Sequence, residues 1–259
     1  MTRGSGERPG NRRGGATRRL RVNPRSALRT PQSSPAFTLL ELLVVVAVLG
    51  LLVGMLVPSL LSAATAAQRM RCTDNLRHIH AAVQMYLQAN RDLYPCAEDP
   101  VSTKPFYWLW MGRGWRRFVS PYLGRRLDAD RPSVLLCPGD PDRDAYEATS
   151  YAYCLAFYHT PEQIDAAGSK ADTYSNPKPS VAQGAGAVAE PERKILIGEW
   201  TANHPRIADD GGWWCWRGAR NFLFPNGTVR FVEAERIRPA NDGFPDANLT
   251  RGGITGHDL

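Results

Sequence analysis

Hydrophobic and polar positions divide the chain into four stretches. Residues 1–36 have almost no apolar periodicity. Residues 37–61 are 25 in a row with only Thr38, Glu41 and Ser59 polar. From Ala63 to Arg91 the apolar residues Leu76, Ile79, Val83, Tyr86 and Leu87 recur at helical spacing, with His80 on the same face and Asp74, Arg77, Gln84, Gln88 and Arg91 on much of the rest. Beyond Tyr94-Pro95, Pro, Gly, Asn and Asp punctuate short apolar runs and no long helical pattern follows. That texture predicts a sheet-based body with large loops over 94–259.

As a helix the second stretch spans roughly 37 Å, enough to cross a bilayer core of about 30 Å. The third stretch, residues 62–93, reads as its amphipathic continuation, with one face packed on the body. Residues 37–91 then predict one helix of about 80 Å, bent at Pro58 and ended by Tyr94-Pro95. In the body, Ile195-Leu196-Ile197 reads as a strand, and residues 161–192 as a long exposed loop. Asn226-Gly227 is a type I′ hairpin signal. A two-residue turn there pairs Phe224 with Val229 and Phe222 with Phe231.

Charge sharpens the topology. The 259 residues carry 32 Lys+Arg against 25 Asp+Glu, a net +7. Nine Arg and one acid, Glu7, lie in residues 1–36, so that arm is +8 and the remaining 23 bases and 24 acids sum to −1. A basic arm before an apolar helix keeps the N-terminus in the cytoplasm and sends the rest outside. With the excess confined to the arm, nothing in the charge calls for nucleic-acid binding.

Three readings of the apolar run compete. It is a plain anchor, or a signal peptide cleaved after Ala64-Thr65-Ala66, or a segment whose design explains Glu41. A carboxylate in a spanning helix costs on the order of 2.5–3.5 kcal/mol at the bilayer centre and less toward an end. A cut before Phe37 would free an α-ammonium about one helical turn from Glu41.

Ala36-Phe37-Thr38-Leu39-Leu40-Glu41 resembles the prepilin motif of the type IV pilin and type II secretion pseudopilin family, with Ala36 where the family usually has Gly. Pro58 lies where many members place a helix-disturbing Pro. Three further places are similar to a planctomycete-type pseudopilin subgroup: Cys72 to Arg77 with Asn90 to Pro95; Leu136-Cys137-Pro138-Gly139-Asp140 with Ser150-Tyr151-Ala152-Tyr153; and Asn221 to Val229. The subgroup often carries His, nine residues, then Asp-Gly. This chain has Trp216 and Asn226-Gly227 instead.

The resemblance implies an α+β, pilin-like fold: a long N-terminal helix on a small antiparallel β-sheet domain with long loops. It implies a leader, 1–36, removed by a prepilin peptidase that cuts between Ala36 and Phe37 and methylates the Phe37 amine. Phe37, Thr38, Glu41 and Pro58 would serve filament assembly. The chain would be a structural subunit of a type II secretion or type IV pilus-like system, not an enzyme. It would sit in the bacterial inner membrane with its C-terminal domain periplasmic. Its partners would be other pilin or pseudopilin subunits and the inner-membrane assembly platform. Because Cys72 and Cys137 recur together in the subgroup, the resemblance also implies their pairing. No cofactor is expected.

Other chemistry is thin. A zinc set of Cys72, His78, His80 and Cys96 lacks any Cys-x-x-Cys spacing, and His78 and His80 face different ways on a helix. Asp209-Asp210, and Asp242 with Asp246, are candidate calcium acids without an EF-hand pattern, solvated loop acids being the commoner case. No Gly-x-Ser-x-Gly, His-Glu-x-x-His or phosphate-loop motif occurs. Seven Trp fall in two groups, Trp108, Trp110, Trp115 and Trp200, Trp213, Trp214, Trp216. Buried, they are core. Exposed, they would make the chain a membrane-anchored binding module for a polysaccharide or a secretion partner, the alternative function.

Overall fold

The computed structural model describes residues 37–96, 113–124, 134–141, 149–174 and 179–259. The leader, with Ala36, and the pair Trp108 and Trp110 lie outside the described residues. The chain forms two compact units that divide between Leu51 and Leu52.

Helix α1 covers Leu39–Ala89, with Pro58 inside it. Residues 39–51 belong to the first unit and are exposed throughout. Exposure of apolar side chains continues into the second unit as far as Leu61. The character of the helix then changes. Cys72, Leu76, Ile79, Ala82, Val83 and Leu87 are buried, a stripe at three- and four-residue spacing. Each large member contributes about 1.5–3 kcal/mol by leaving water. Tyr86, expected in that stripe, is half-buried, edge-on to Phe118 and Tyr122 at 5.8 and 6.2 Å.

The helix ends at Ala89 rather than Arg91. Arg91 and Asp92 take left-handed conformations (φ 57° and 58°), and the Asp92 N–H turns back to the Leu87 carbonyl at 2.9 Å. The Asn90 side-chain amide also donates to the Tyr86 carbonyl at 2.7 Å. These bonds satisfy carbonyls that a helix end leaves open, so the stop precedes Pro95.

Four antiparallel strands form one sheet in the order β1-β2-β3-β4: β1 Tyr151–Tyr153, β2 Ile197–Glu199, β3 Ala219–Leu223 and β4 Val229–Glu233. The architecture is α+β, a long N-terminal helix with a small antiparallel sheet. Strand β2 begins at the last residue of the expected Ile195–Ile197 strand, but pairing starts sooner. Leu196 donates to the Leu223 carbonyl and accepts from the Cys154 N–H. Strands β1 and β4 are the edges, and β4 carries exposed Arg230 and Glu233.

The hairpin register differs by one residue from the expected pairing. Leu223 faces Val229, Phe222 faces Arg230 and Asn221 faces Phe231. Pro225 is the cause. A type I′ turn needs positive φ at both central residues. Asn226 is not among the residues of positive φ, whereas Gly227 is, at 87°. Pro favours the first central position of a type I turn, which the Gly227 N–H closes onto the Phe224 carbonyl at 2.9 Å. Gly227 then makes the left-handed step of a three-residue connection, and one extra residue exchanges which side chains share a face.

Residues 161–192 are more ordered than a loop. Helix α2 is Arg113–Val119, and the described part of 161–192 adds α3, Pro161–Asp165, and α4, Ala171–Tyr174. Thr160 and Gln163 form a capping box at α3. An aromatic core gathers Tyr94, Trp115, Tyr153, Phe157 and Tyr158. Beside β2, Lys194 is wholly buried and ion-paired to Asp258 at 3.2 Å. Asp258 also accepts from the Ile195 N–H at 2.5 Å and from the Thr250 hydroxyl.

Candidate functional site: the start of the long helix and its buried anchor

The start of α1 gives Glu41 a local partner, Thr38. Glu41 Oε2 accepts from the Thr38 N–H at 2.9 Å and from the Thr38 hydroxyl at 2.8 Å, while Thr38 Oγ1 accepts from the Glu41 N–H at 3.2 Å. That is a capping box: residue and helix terminus satisfy each other's open groups. The signal was legible as Thr38-x-x-Glu41. Apart from this cap and Ser59, the residues from Phe37 (75% exposed) through Leu61 (66%) are apolar and uncovered. At Pro58 the helix loses one N–H. Just beyond it, Ser59 and Ser62 return their hydroxyls to the carbonyls of Leu56 and Ser59.

Within the second unit, α1 is tied to the body at Cys72. Cys72 and Cys137 form a disulfide with their Cα atoms 5.2 Å apart. Asn75, one turn on, donates to the Leu136 carbonyl at 2.9 Å, and His80 contacts the Pro225 carbonyl at 3.1 Å through Nε2. Arg69 stacks over the Phe231 ring at 4.8 Å. The helix is thus held by a covalent link, polar contacts and an apolar stripe together.

His204 and Glu199 stand against that disulfide, and sequence reasoning missed both. His204 Nε2 lies 3.2 Å from Cys72 Sγ, 3.1 Å from Cys137 Sγ and 3.2 Å from Glu199 Oε1. All four residues are buried. Glu199 is fixed by Asn221, whose main-chain N–H reaches Oε2 at 2.9 Å and whose side-chain amide reaches Oε1 at 3.1 Å. Asn221 belongs to a segment singled out for its resemblance, but nothing local marks Glu199 or His204 as its neighbours. The set Cys72, His78, His80, Cys96 does not converge. Cys72, Cys137, Glu199 and His204 are the one group of potential metal ligands that does, among the described residues.

The acid pairs separate into different roles. Asp210 is held by Arg220 at 2.6 Å and by the N–H groups of Ala202 and Gly212, while Asp209 beside it is left-handed (φ 52°). Asp246 is buried, accepting from Trp214 Nε1 and the Asn248 N–H. Burial, and secondly the neighbouring charge of Asp242, push Asp246 up to about 7. The remaining cysteines are thiols. Burial pushes Cys154 up to about 12 and Cys96 up to about 11.

The tryptophans of the second group do not make one exposed patch. Trp213 is buried between Trp200 and Phe222, each 5.8 Å away, and donates to the Glu199 carbonyl at 2.8 Å. Trp214 is half-buried, edge-on to Trp200 at 4.9 Å, and Trp216 is also half-buried. Trp115 is core.

A long apolar helix leading into a small antiparallel sheet is the architecture on which the comparison bears. The chain is similar to the type II secretion system core protein G of Klebsiella michiganensis, with 32% identity over 77 residues. Those residues are 29% of this chain and 54% of that protein, so the chain spans about half the length of its relative. No protein-family profile and no solved structure matches the chain. The likeness and the long apolar N-terminal helix fit the pilin family and a membrane-anchored, structural role.

Proposed function

We propose that this chain is a pseudopilin-like structural subunit, processed at Phe37 by a prepilin peptidase, N-methylated there and assembled into a filament with other subunits. The observation that carries the reading is the exposed apolar half of α1, opening on Phe37-Thr38 and Glu41. Such a surface needs lipid or neighbouring helices around it. The similarity to a type II secretion core protein points to neighbouring helices as one of its environments. The basic leader supports a cytoplasmic N-terminus and a periplasmic body. Glu41 then has two jobs. It caps its own helix, and in the filament its charge meets a Phe37 ammonium, where an unpaired charge would be costly.

Mass spectrometry of the membrane-extracted chain tests the processing: N-methyl-Phe37 at the N-terminus is expected. A chain beginning at Ala67, or one left uncut, overturns it. Glu41→Gln separates the two jobs, because Gln also completes a capping box. The variant should be processed and membrane-bound yet fail to assemble. Normal filament incorporation would refute the role of the charge.

A further inference from the structure

We propose that the chain in its dithiol form binds one Zn²⁺ through Cys72, Cys137, His204 and Glu199. Two sulfurs, an imidazole nitrogen and a carboxylate oxygen all lie within 4.8 Å of one another. Zinc–ligand bonds of about 2.3 Å to sulfur and about 2.0–2.2 Å to nitrogen and oxygen give a tetrahedron with edges of roughly 3.4–3.6 Å where nitrogen or oxygen is involved. The corresponding distances are 3.1 and 3.2 Å from His204 Nε2 to the two sulfurs, 3.4 Å from Cys137 Sγ to Glu199 Oε1, and 3.2 Å from Nε2 to Oε1. Four edges thus approach tetrahedral values already. In the dithiol form the two sulfurs separate to about 3.8 Å, the edge that two 2.3 Å bonds define.

The surroundings suit a cation better than they suit the disulfide alone. Disulfide sulfurs carry no proton, so in that state both present only weakly basic faces to Nε2. The Glu199 carboxylate is wholly buried, and its one ion-pair partner among the described residues is His204. A divalent ion would supply the positive charge this pocket of donors lacks. Asn221 already holds both carboxylate oxygens, as an outer partner of a ligand should. His204 is fixed sterically: a Cβ on Gly139 would stand 2.5 Å from its Cε1. Nε2 is the ring nitrogen that faces both sulfurs and Glu199, and Nδ1 has no hydrogen-bond partner among the described residues.

Binding involves no electron transfer. Two thiols give their protons to solvent and two Zn–S bonds form, with His204 neutral. The ion closes the same link between α1 and the body that the disulfide closes, in the chain as translated, before the sulfurs are oxidised. The site is independent of the filament role and would stand if that role failed.

Cobalt(II) reports the geometry directly. The full chain, purified in detergent, stripped of metal and held reduced by a phosphine, should take up one Co²⁺. It should show sulfur-to-cobalt charge-transfer absorption with the visible bands of a tetrahedral ion, and one equivalent of Zn²⁺ should abolish both. His204→Ala and Glu199→Gln should weaken binding at least tenfold, whereas Cys96→Ser/Cys154→Ser/Cys215→Ser should keep the spectrum. Loss of the spectrum in that triple variant, or unchanged affinity in His204→Ala, would overturn the site. A second measurement covers variants that fail to fold: in the unmutated reduced chain, Zn²⁺ should slow alkylation of Cys72 and Cys137 at least tenfold, and equal labelling with and without zinc refutes the proposal.

Discussion

Replacing Asp258 by alanine should cost about 3–5 kcal/mol. The ammonium of Lys194 is completely buried, and Asp258 is the carboxylate that answers it, at 3.2 Å. Thr250 Oγ1 at 2.5 Å and the Ala247 carbonyl at 3.3 Å are its other partners, and both are neutral. Removing one member of a buried pair leaves an uncompensated charge, which is where the 3–5 kcal/mol arises. The Ile195 N–H loses its acceptor as well, but these losses share one site and do not add. The segment itself stays pinned, because the Asp258 N–H donates to the Arg193 carbonyl and its carbonyl accepts from Arg238. Against a total stability of about 5–15 kcal/mol, the loss is a large fraction. With a urea m-value of about 2 kcal/mol/M, the midpoint should fall by about 1.5–2.5 M. Buried Trp115 and Trp213 provide the fluorescence signal. The double change Lys194→Met with Asp258→Leu removes both charges and should recover most of the loss. A midpoint shift under about 0.5 M for Asp258→Ala, or a double variant no better than the single one, would refute the reasoning.

Three further outcomes follow from the same structure. Cys72→Ser with Cys137→Ser, in metal-free buffer, should lower stability by about 4 kcal/mol, since the link spans 65 residues and loop-closure entropy sets that scale; urea titration against the oxidised parent checks it. Gly227→Ala should cost more than Gly243→Ala. Both sites have positive φ, worth about 1–3 kcal/mol of strain, but only at Gly227 would the new Cβ stand 2.8 Å from the His80 ring, and thermal melts of the two variants rank them. Asp246 holds its proton to about pH 7 in the fold but only to about 3.8 when exposed, so the folded state binds the extra proton between those values. Its contribution to stability therefore falls as pH rises from about 4 to about 7 and levels off above that. Carboxyl NMR with chelator present should show Asp246 titrating near 7, and a value near 4 would contradict the burial argument.

The parts legible in the sequence were those set by local periodicity. Leu76, Ile79, Val83 and Leu87 announced the buried face of α1 because helical spacing alone decides which side chains share it. Tyr86 shares that arc of the helix but is only half-buried, its ring packing edge-on to Phe118 of α2 and to Tyr122 just after it. The hairpin was visible in Asn226-Gly227, but Pro225 chose a different turn and moved the register. The Cys72 neighbourhood was illegible for another reason. His204 is 132 residues from Cys72, and Glu199 is 62 from Cys137, so only the sheet and the chain crossing it bring them together. Glu41 was legible at short range: its partner Thr38 lies three residues away, in the Thr38-x-x-Glu41 spacing of a capping box.

Strand β4 bears on how such chains meet. An edge strand presents open N–H and C=O groups to any passing strand, and a five-residue edge is a standing invitation to uncontrolled stacking. This edge is guarded by Arg230 and Glu233, both exposed, with Arg230 also folded over the Phe224 ring at 4.1 Å. Two copies approaching edge to edge along β4 would have to strip water from those charges. The uncharged helix face from Leu42 to Leu61 asks no such penalty. The β4 edge therefore carries charges that oppose strand-to-strand stacking, whereas the apolar run from Leu42 to Leu61 carries none.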